Sequence, residues 1–120
     1  MSVKLFDSEL KIMDVVWKGE VVTAKEIAKT MSKKTGWTKA TTYTLIRRCI
    51  AKGAIERIEP NFVCHALIPQ NEVREYETNE LIEKLYDGAP DQLIASLLEK
   101  KRKLNPDEID KLMDIIRKLE

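Results

Sequence analysis

The chain has 120 residues, 43% of them hydrophobic and 34% charged, with a formal net charge of +1. That balance fits one folded domain, or one small domain plus an appendage, and argues against disorder. No apolar run approaches the roughly 20 residues of a membrane span, and Met1 to Phe6 is too short and mixed for a signal peptide, so a cytoplasmic chain with no membrane partner is expected.

With only four glycines and four prolines, the chain reads as mostly helix. Asp7 stands where it can cap a first helix, with Leu10, Met13, Val16 and Trp17 as its apolar stripe and Gly19 as its stop. Val21-Val22 reads as a short extended link. Thr23-Ala24-Lys25-Glu26 is a capping box, in which the Thr hydroxyl accepts from the Glu N–H while the Glu carboxylate reaches back. It opens a short helix carrying Ala24, Ile27, Ala28 and Met31, followed by a turn over Ser32 to Gly36. Thr38 caps a third helix, which ends at Gly53, a residue suited to the left-handed position after a helix.

The stretch "AIERIEPNFVCHALI" is rich in β-branched and aromatic residues and is broken by Pro60-Asn61, a good pair for a turn. Phe62, Cys64, Ala66 and Ile68 alternate with Val63, His65 and Leu67, which predicts a two-stranded hairpin. An isolated hairpin is marginal in water, so this one must pack on the helices. Three helices and a hairpin, with a tight turn between the second and third helices, predict a winged helix-turn-helix over residues 1–69, mainly α with a small β wing.

Pro69 marks the boundary to a second domain, 70–120, predicted to be helical. Its first helix runs from Asn71 to Asp87, with Val73, Tyr76, Leu81, Ile82, Leu85 and Tyr86 apolar. Gly88-Ala89-Pro90 restarts the chain into a helix holding Leu93, Ile94, Leu97 and Leu98, and "EKKRK" (99–103) reads as solvated helix end and loop. Asn105-Pro106-Asp107-Glu108 supplies a cap, a proline at the first helical position and acids in the first turn. The last helix then carries Ile109, Leu112, Met113, Ile116 and Leu119. These residues either form a private bundle or are half of a core that a second copy completes. Exposed apolar stripes mark interfaces, so a homodimer is expected through Tyr76, Leu81, Leu85, Leu93, Leu97, Ile109, Leu112, Met113 and Ile116.

Charge divides along the same line. Residues 1–68 hold twelve Lys/Arg against seven Asp/Glu, or +5, whereas residues 69–120 hold nine against thirteen, or −4. The first part is therefore the one suited to an anion. In a helix-turn-helix the second helix of the pair lies in the major groove, and here that helix offers Lys39, Ala40, Tyr43, Thr44 and Arg47 outward while Leu45, Ile46 and Cys49 turn inward. Arg47 can bond guanine O6 and N7 or grip a phosphate, and the Ala40 methyl can meet a thymine methyl. Hydroxyls of Thr41, Thr42 and Thr44 are expected at phosphates, Tyr43 at the groove wall, and Lys39, Arg48 and the hairpin's Arg57 on the backbone, which sets register without reading sequence. Double-stranded DNA is the expected partner. The bland alternatives are a plain solvated surface for this helix, and exposed surface or a packed edge for Arg57 and His65. Trp17 and Trp37 are expected in the core, with Trp37 anchoring the turn.

No metal-ligand spacing is present, and Cys49 and Cys64 read as reduced small hydrophobes, so neither metal nor cofactor is expected. One histidine, no Gly-rich phosphate loop and no nucleophile motif leave no catalytic constellation. A protein-docking module, and a transcriptional activator making the same DNA contacts, remain as alternative readings.

"LFDSELKIMDVVW", "TAKEIA", "WTKATTYTLIRRCIAKG" and "NELIEKLYDGAPDQLIASLLEKKRKLNPDEIDKLMDIIRKLE" together resemble the BlaI/MecI family of repressors over essentially the whole chain. The resemblance implies a homodimeric winged-helix repressor bound to inverted-repeat operators, with relief through a sensor-linked protease that cuts the dimerisation domain. The family's scissile Asn-Phe pair is matched by position by Ser96-Leu97, the candidate cleavage position. Lys39-Ala40 stands where well-known members have Pro-Lys, so their operator sequence does not transfer. The Cys-x-Cys of copper-responsive relatives is absent.

Overall fold

The computed structural model describes residues 3–19, 21–99 and 105–118. The run of basic residues after Glu99, Leu119 and the side chain of Ile116 lie outside the described residues. In chain order the elements are α1 (Asp7–Lys18), β1 (Val22–Thr23), α2 (Ala24–Thr35), α3 (Lys39–Ala51), β2 (Ile55–Ile58), β3 (Val63–Ala66), α4 (Gln70–Leu85), α5 (Pro90–Glu99) and α6 (Pro106–Lys118). The architecture is the expected winged helix followed by helices. No helix among the described residues is long and apolar enough to cross a membrane.

Local chemistry explains most boundaries, with three corrections. Asp7 is the first helical residue of α1 and Phe6 is its N-cap. The Phe6 N–H donates to Glu9 Oε1 at 2.7 Å, so the reach-back carboxylate opens this helix in place of an Asp cap. The Thr23 box forms as expected, Oγ1 accepting from the Glu26 N–H at 3.1 Å. The turn after α2 is shorter than expected, because the helix runs on to Thr35 and stops only at Gly36, whose φ of +76° is left-handed. Finally, Val22 is not a link but part of a strand. β1 pairs antiparallel with β3 (Val22 opposite Cys64), giving a three-stranded sheet in the order β1-β3-β2. A third strand satisfies backbone groups that a free hairpin would leave to water. Gly19 allows the approach, since a Cβ there would lie 2.2 Å from Val22 Cγ2.

Contacts divide the chain into two units, 1–77 and 78–120. The first has a closed core of Leu5, Ile12, Met13, Val16, Val22, Ile27, Met31, Leu45, Ile46, Cys49, Ile55 and Cys64, with Ile68 and Val73 closing it. Trp17 is half-buried against this core, and its Nε1–H donates to the Ile68 carbonyl at 2.9 Å, tying α1 to the chain leaving the sheet. In the second unit no described residue is buried. Leu81, Leu85, Ile94, Leu97, Leu98, Ile109, Leu112, Met113 and Ile115 are all exposed there, and Leu93 is half-buried. Tyr76, grouped with these residues in the sequence, falls in the first unit and is half-buried. The cap of α6 forms as expected: Asn105 Oδ1 accepts from the Glu108 N–H at 2.8 Å, and Glu108 Oε1 accepts from the Asn105 N–H at 3.1 Å.

Candidate nucleic-acid interface

The third helix, α3, is held at both ends. At its start Thr38 Oγ1 accepts from the Thr41 N–H at 3.2 Å and bonds the Thr41 hydroxyl at 3.0 Å. At its end Lys52 turns back to α1, its Nζ donating to Glu9 Oε1 at 2.6 Å and to the Lys4 carbonyl at 2.9 Å. Glu9 is buried (1% exposed), so this pair is screened far less than a surface ion pair. Burial alone would raise the Glu9 pKa. The Lys52 hydrogen bond, the Phe6 N–H and the charges of Lys52 and Arg48 outweigh it and hold the carboxyl below its ordinary value. The Lys52 ammonium also sits 4.1 Å from the Phe6 ring centroid.

Between these anchors the helix presents the expected ridge. Lys39, Ala40, Thr41, Thr44, Arg47 and Arg48 are exposed, and Leu45, Ile46 and Cys49 are buried. Thr42 is the correction. It is fully buried and its Oγ1 has no hydrogen-bond partner, so this hydroxyl is not offered to a phosphate. Positions 42, 45, 46 and 49 repeat at i, i+3, i+4, i+7, the inward stripe of a helix. Thr44 is exposed, with its hydroxyl donating to the Ala40 carbonyl at 2.9 Å, which leaves oxygen lone pairs rather than the proton facing out.

Tyr43 is half-buried, and its ring is where the helix meets the wing. The Phe62 ring stands edge-on to it, with centroids 5.9 Å apart and planes at 89°. Such a pair is worth about 0.5–1.5 kcal/mol beyond its buried area. Lys39 Nζ lies 5.5 Å and Arg47 Cζ 5.9 Å from the Tyr43 centroid, while Arg57 Cζ lies 3.7 Å from that of Phe62. Three cations therefore line one aromatic pair. Arg57 also pairs with Glu59 through Nε at 2.5 Å. The Arg57 hydrogen bond and the Phe62 N–H lower the Glu59 pKa, so its negative charge opposes the wing's cation at neutral pH. His65 is exposed, 3.9 Å from Glu56. Trp37 is half-buried at the turn before α3, with Lys11 Nζ 5.8 Å from its ring centroid.

The sequence reading missed Phe62 as part of this surface by placing it in a strand; it lies in the turn, at φ +51°, and β3 begins one residue later. An aromatic residue directly after Pro60-Asn61 was the available signal. Glu59 and Lys52 were missed as well, since their partners are settled by packing. Cys49 and Cys64 are both free and buried, and burial pushes their thiols up to about 12 and about 11. Neither is a reactive thiolate near pH 7.

Comparison with known proteins follows the same outline. A family model described as "Penicillinase repressor" matches residues 5–118. The penicillinase repressor of Bacillus licheniformis is 28% identical over 115 residues, spanning 94% of this chain and 89% of that protein. The methicillin resistance regulatory protein MecI of Mammaliicoccus sciuri is 27% identical over 117 residues, spanning 96% and 94%. Among solved structures, the DNA-binding domain of the repressor BlaI superposes with a TM-score of 0.54 at 31% identity, covering 57% of this chain and 87% of that one. The monomeric form of Bacillus licheniformis BlaI in complex with the blaP half-operator gives a TM-score of 0.53, also at 31% identity and with the same coverage. With the family match running from the first buried leucine to the last described residue of α6, this chain belongs to the penicillinase repressor family, a family of transcriptional repressors and not of enzymes.

Proposed function

We propose that the chain is a homodimeric repressor that occupies an inverted-repeat operator through α3 of each copy. One observation carries the DNA-binding part: α3 contains no acidic residue and exposes Lys39, Arg47 and Arg48 on a helix whose N-terminus also attracts anions. The BlaI complex with a half-operator supports the same reading. In this arrangement Arg47 reads a guanine edge, Ala40 meets a thymine methyl, and Tyr43 lies at the groove wall. Lys39, Arg48 and Arg57 hold phosphates, with Thr41 and Thr44 beside them.

We assign dimerisation to the second unit, most of whose described large apolar side chains are exposed; Leu81, Leu85, Leu97, Ile109, Leu112 and Met113 are the proposed contacts. Two linked half-sites bind far more tightly than either alone, because linkage raises the effective concentration of the second contact. Loss of this unit would therefore release the operator. Ser96-Leu97, proposed as the cleavage position, lies inside α5, so a protease must unwind part of that helix to reach the bond.

The test is to recover and sequence the genomic fragments retained by the full chain. An inverted repeat with half-sites about 34–36 Å apart or a multiple of it, bound with steeply salt-dependent affinity, is the expected result. Fragments with no shared symmetry, or affinity indifferent to salt, overturn the reading.

A further inference from the structure

We propose that Phe62 is a positioning residue of the interface, fixing the wing's Arg57 against the third helix so that both meet DNA as one rigid surface. The inference rests on the DNA-binding reading above and assigns a role to a side chain that need not touch DNA itself.

Phe62 is held from four directions. Its carbonyl accepts from the Ala24 N–H at 3.0 Å, which ties the wing turn to the first residue of α2. Its N–H donates to Glu59 Oε2 at 3.3 Å. Its ring meets Tyr43 of α3 edge-on at 5.9 Å. The face of the same ring lies 3.7 Å from Arg57 Cζ. A long cationic side chain on an exposed hairpin ordinarily samples many rotamers, and ordering it on binding costs free energy. Stacking on a fixed aromatic face removes much of that freedom beforehand. Because the ring is also in contact with the groove-reading helix, the height of Arg57 is set relative to Tyr43 and Arg47 and not merely relative to the hairpin. The Glu59 carboxylate holds Arg57 from the side, and a phosphate can displace it while the ring stays in place.

The experiment uses the full chain and a mixed-sequence duplex of about 30 base pairs, roughly three helical turns, with binding followed by fluorescence anisotropy across a salt series. Each phosphate contact contributes about 0.9 to the slope of log affinity against log salt. Arg57→Ala is expected to reduce that slope by about 0.9. Phe62→Ala and Phe62→Leu are expected to reduce it by a similar amount, to add little when combined with Arg57→Ala, and Phe62→Tyr is expected to restore it. Phe62→Leu keeps the apolar volume in the turn, so its slope separates ring stacking from simple loss of packing. A full-size slope in Phe62→Leu, or an undiminished further loss on top of Arg57→Ala, overturns the role of Phe62 while leaving DNA binding intact. No salt-dependent binding by the unaltered chain would instead overturn the DNA-binding reading, and this inference with it.

Discussion

The two units of this chain solve the same problem differently. Residues 1–77 bury their apolar side chains within themselves: Ile12, Met13, Ile27, Ile46 and Cys49 are each at 0% exposure. In the second unit α5 and α6 are also amphipathic, yet Ile94 remains 57% exposed and Ile109 47%; Leu85 is 69% exposed. Three short helices do not wrap around one another's apolar faces unless each crosses the others closely, whereas a sheet seals the open side of the first unit. One unit is thus complete as a monomer. The other leaves apolar side chains exposed, the surface on which the proposed dimer rests.

That contrast can be broken at either end. The largest effect is expected from Leu112→Asp, a charge placed in the proposed interface: sedimentation should show a monomer, while the urea transition of residues 1–77 stays where it was. An unchanged dimer would remove Leu112 from the interface. Next comes Ile46→Ala, which should cost about 2–5 kcal/mol by opening a cavity in the closed core, read as a lower urea midpoint for the first unit with association preserved.

Lys52→Met should destabilise the first unit by about 3 kcal/mol at neutral pH, by leaving the buried Glu9 charge uncompensated. Its pH dependence sharpens the point. The Glu9 pKa is depressed in the fold, so the pair's contribution is complete above the ordinary value of 4.5 and disappears as pH falls through the lower folded value. The gap between Lys52→Met and the unaltered chain should therefore narrow as the solution is acidified from 4.5 down through the folded value. A constant gap would show that the ion pair is not its source.

Arg47→Ala should reduce discrimination between operator and random DNA by about 1–3 kcal/mol; equal weakening on both would make Arg47 a phosphate contact. The smallest effect is expected from Thr42→Val. Its buried hydroxyl has no partner, so a methyl of equal size should leave stability unchanged or raise it by up to about 1 kcal/mol, with DNA affinity unaltered. A marked loss of affinity would return Thr42 to the interface.

Read one residue after another, the sequence determined the helices, the Thr23 and Asn105 caps, the stop at Gly53, the cationic ridge of Lys39, Ala40, Thr44 and Arg47, and the surplus of apolar side chains after residue 78. All are short-range matters of period, capping and backbone φ. The burial of Thr42 was legible too, in its i+3, i+4, i+7 relation to Leu45, Ile46 and Cys49. Only the tertiary structure decided that Val22 would pair with Cys64, that Lys52 would seek Glu9 and that Phe62 would stand against Tyr43. These partners lie 42, 43 and 19 positions apart. A strand of two residues has too little pattern to announce itself, and a lysine or phenylalanine has many chemically suitable partners. Packing selects one: the buried Glu9 charge is paired with Lys52, and the half-buried Phe62 ring stands edge-on to Tyr43.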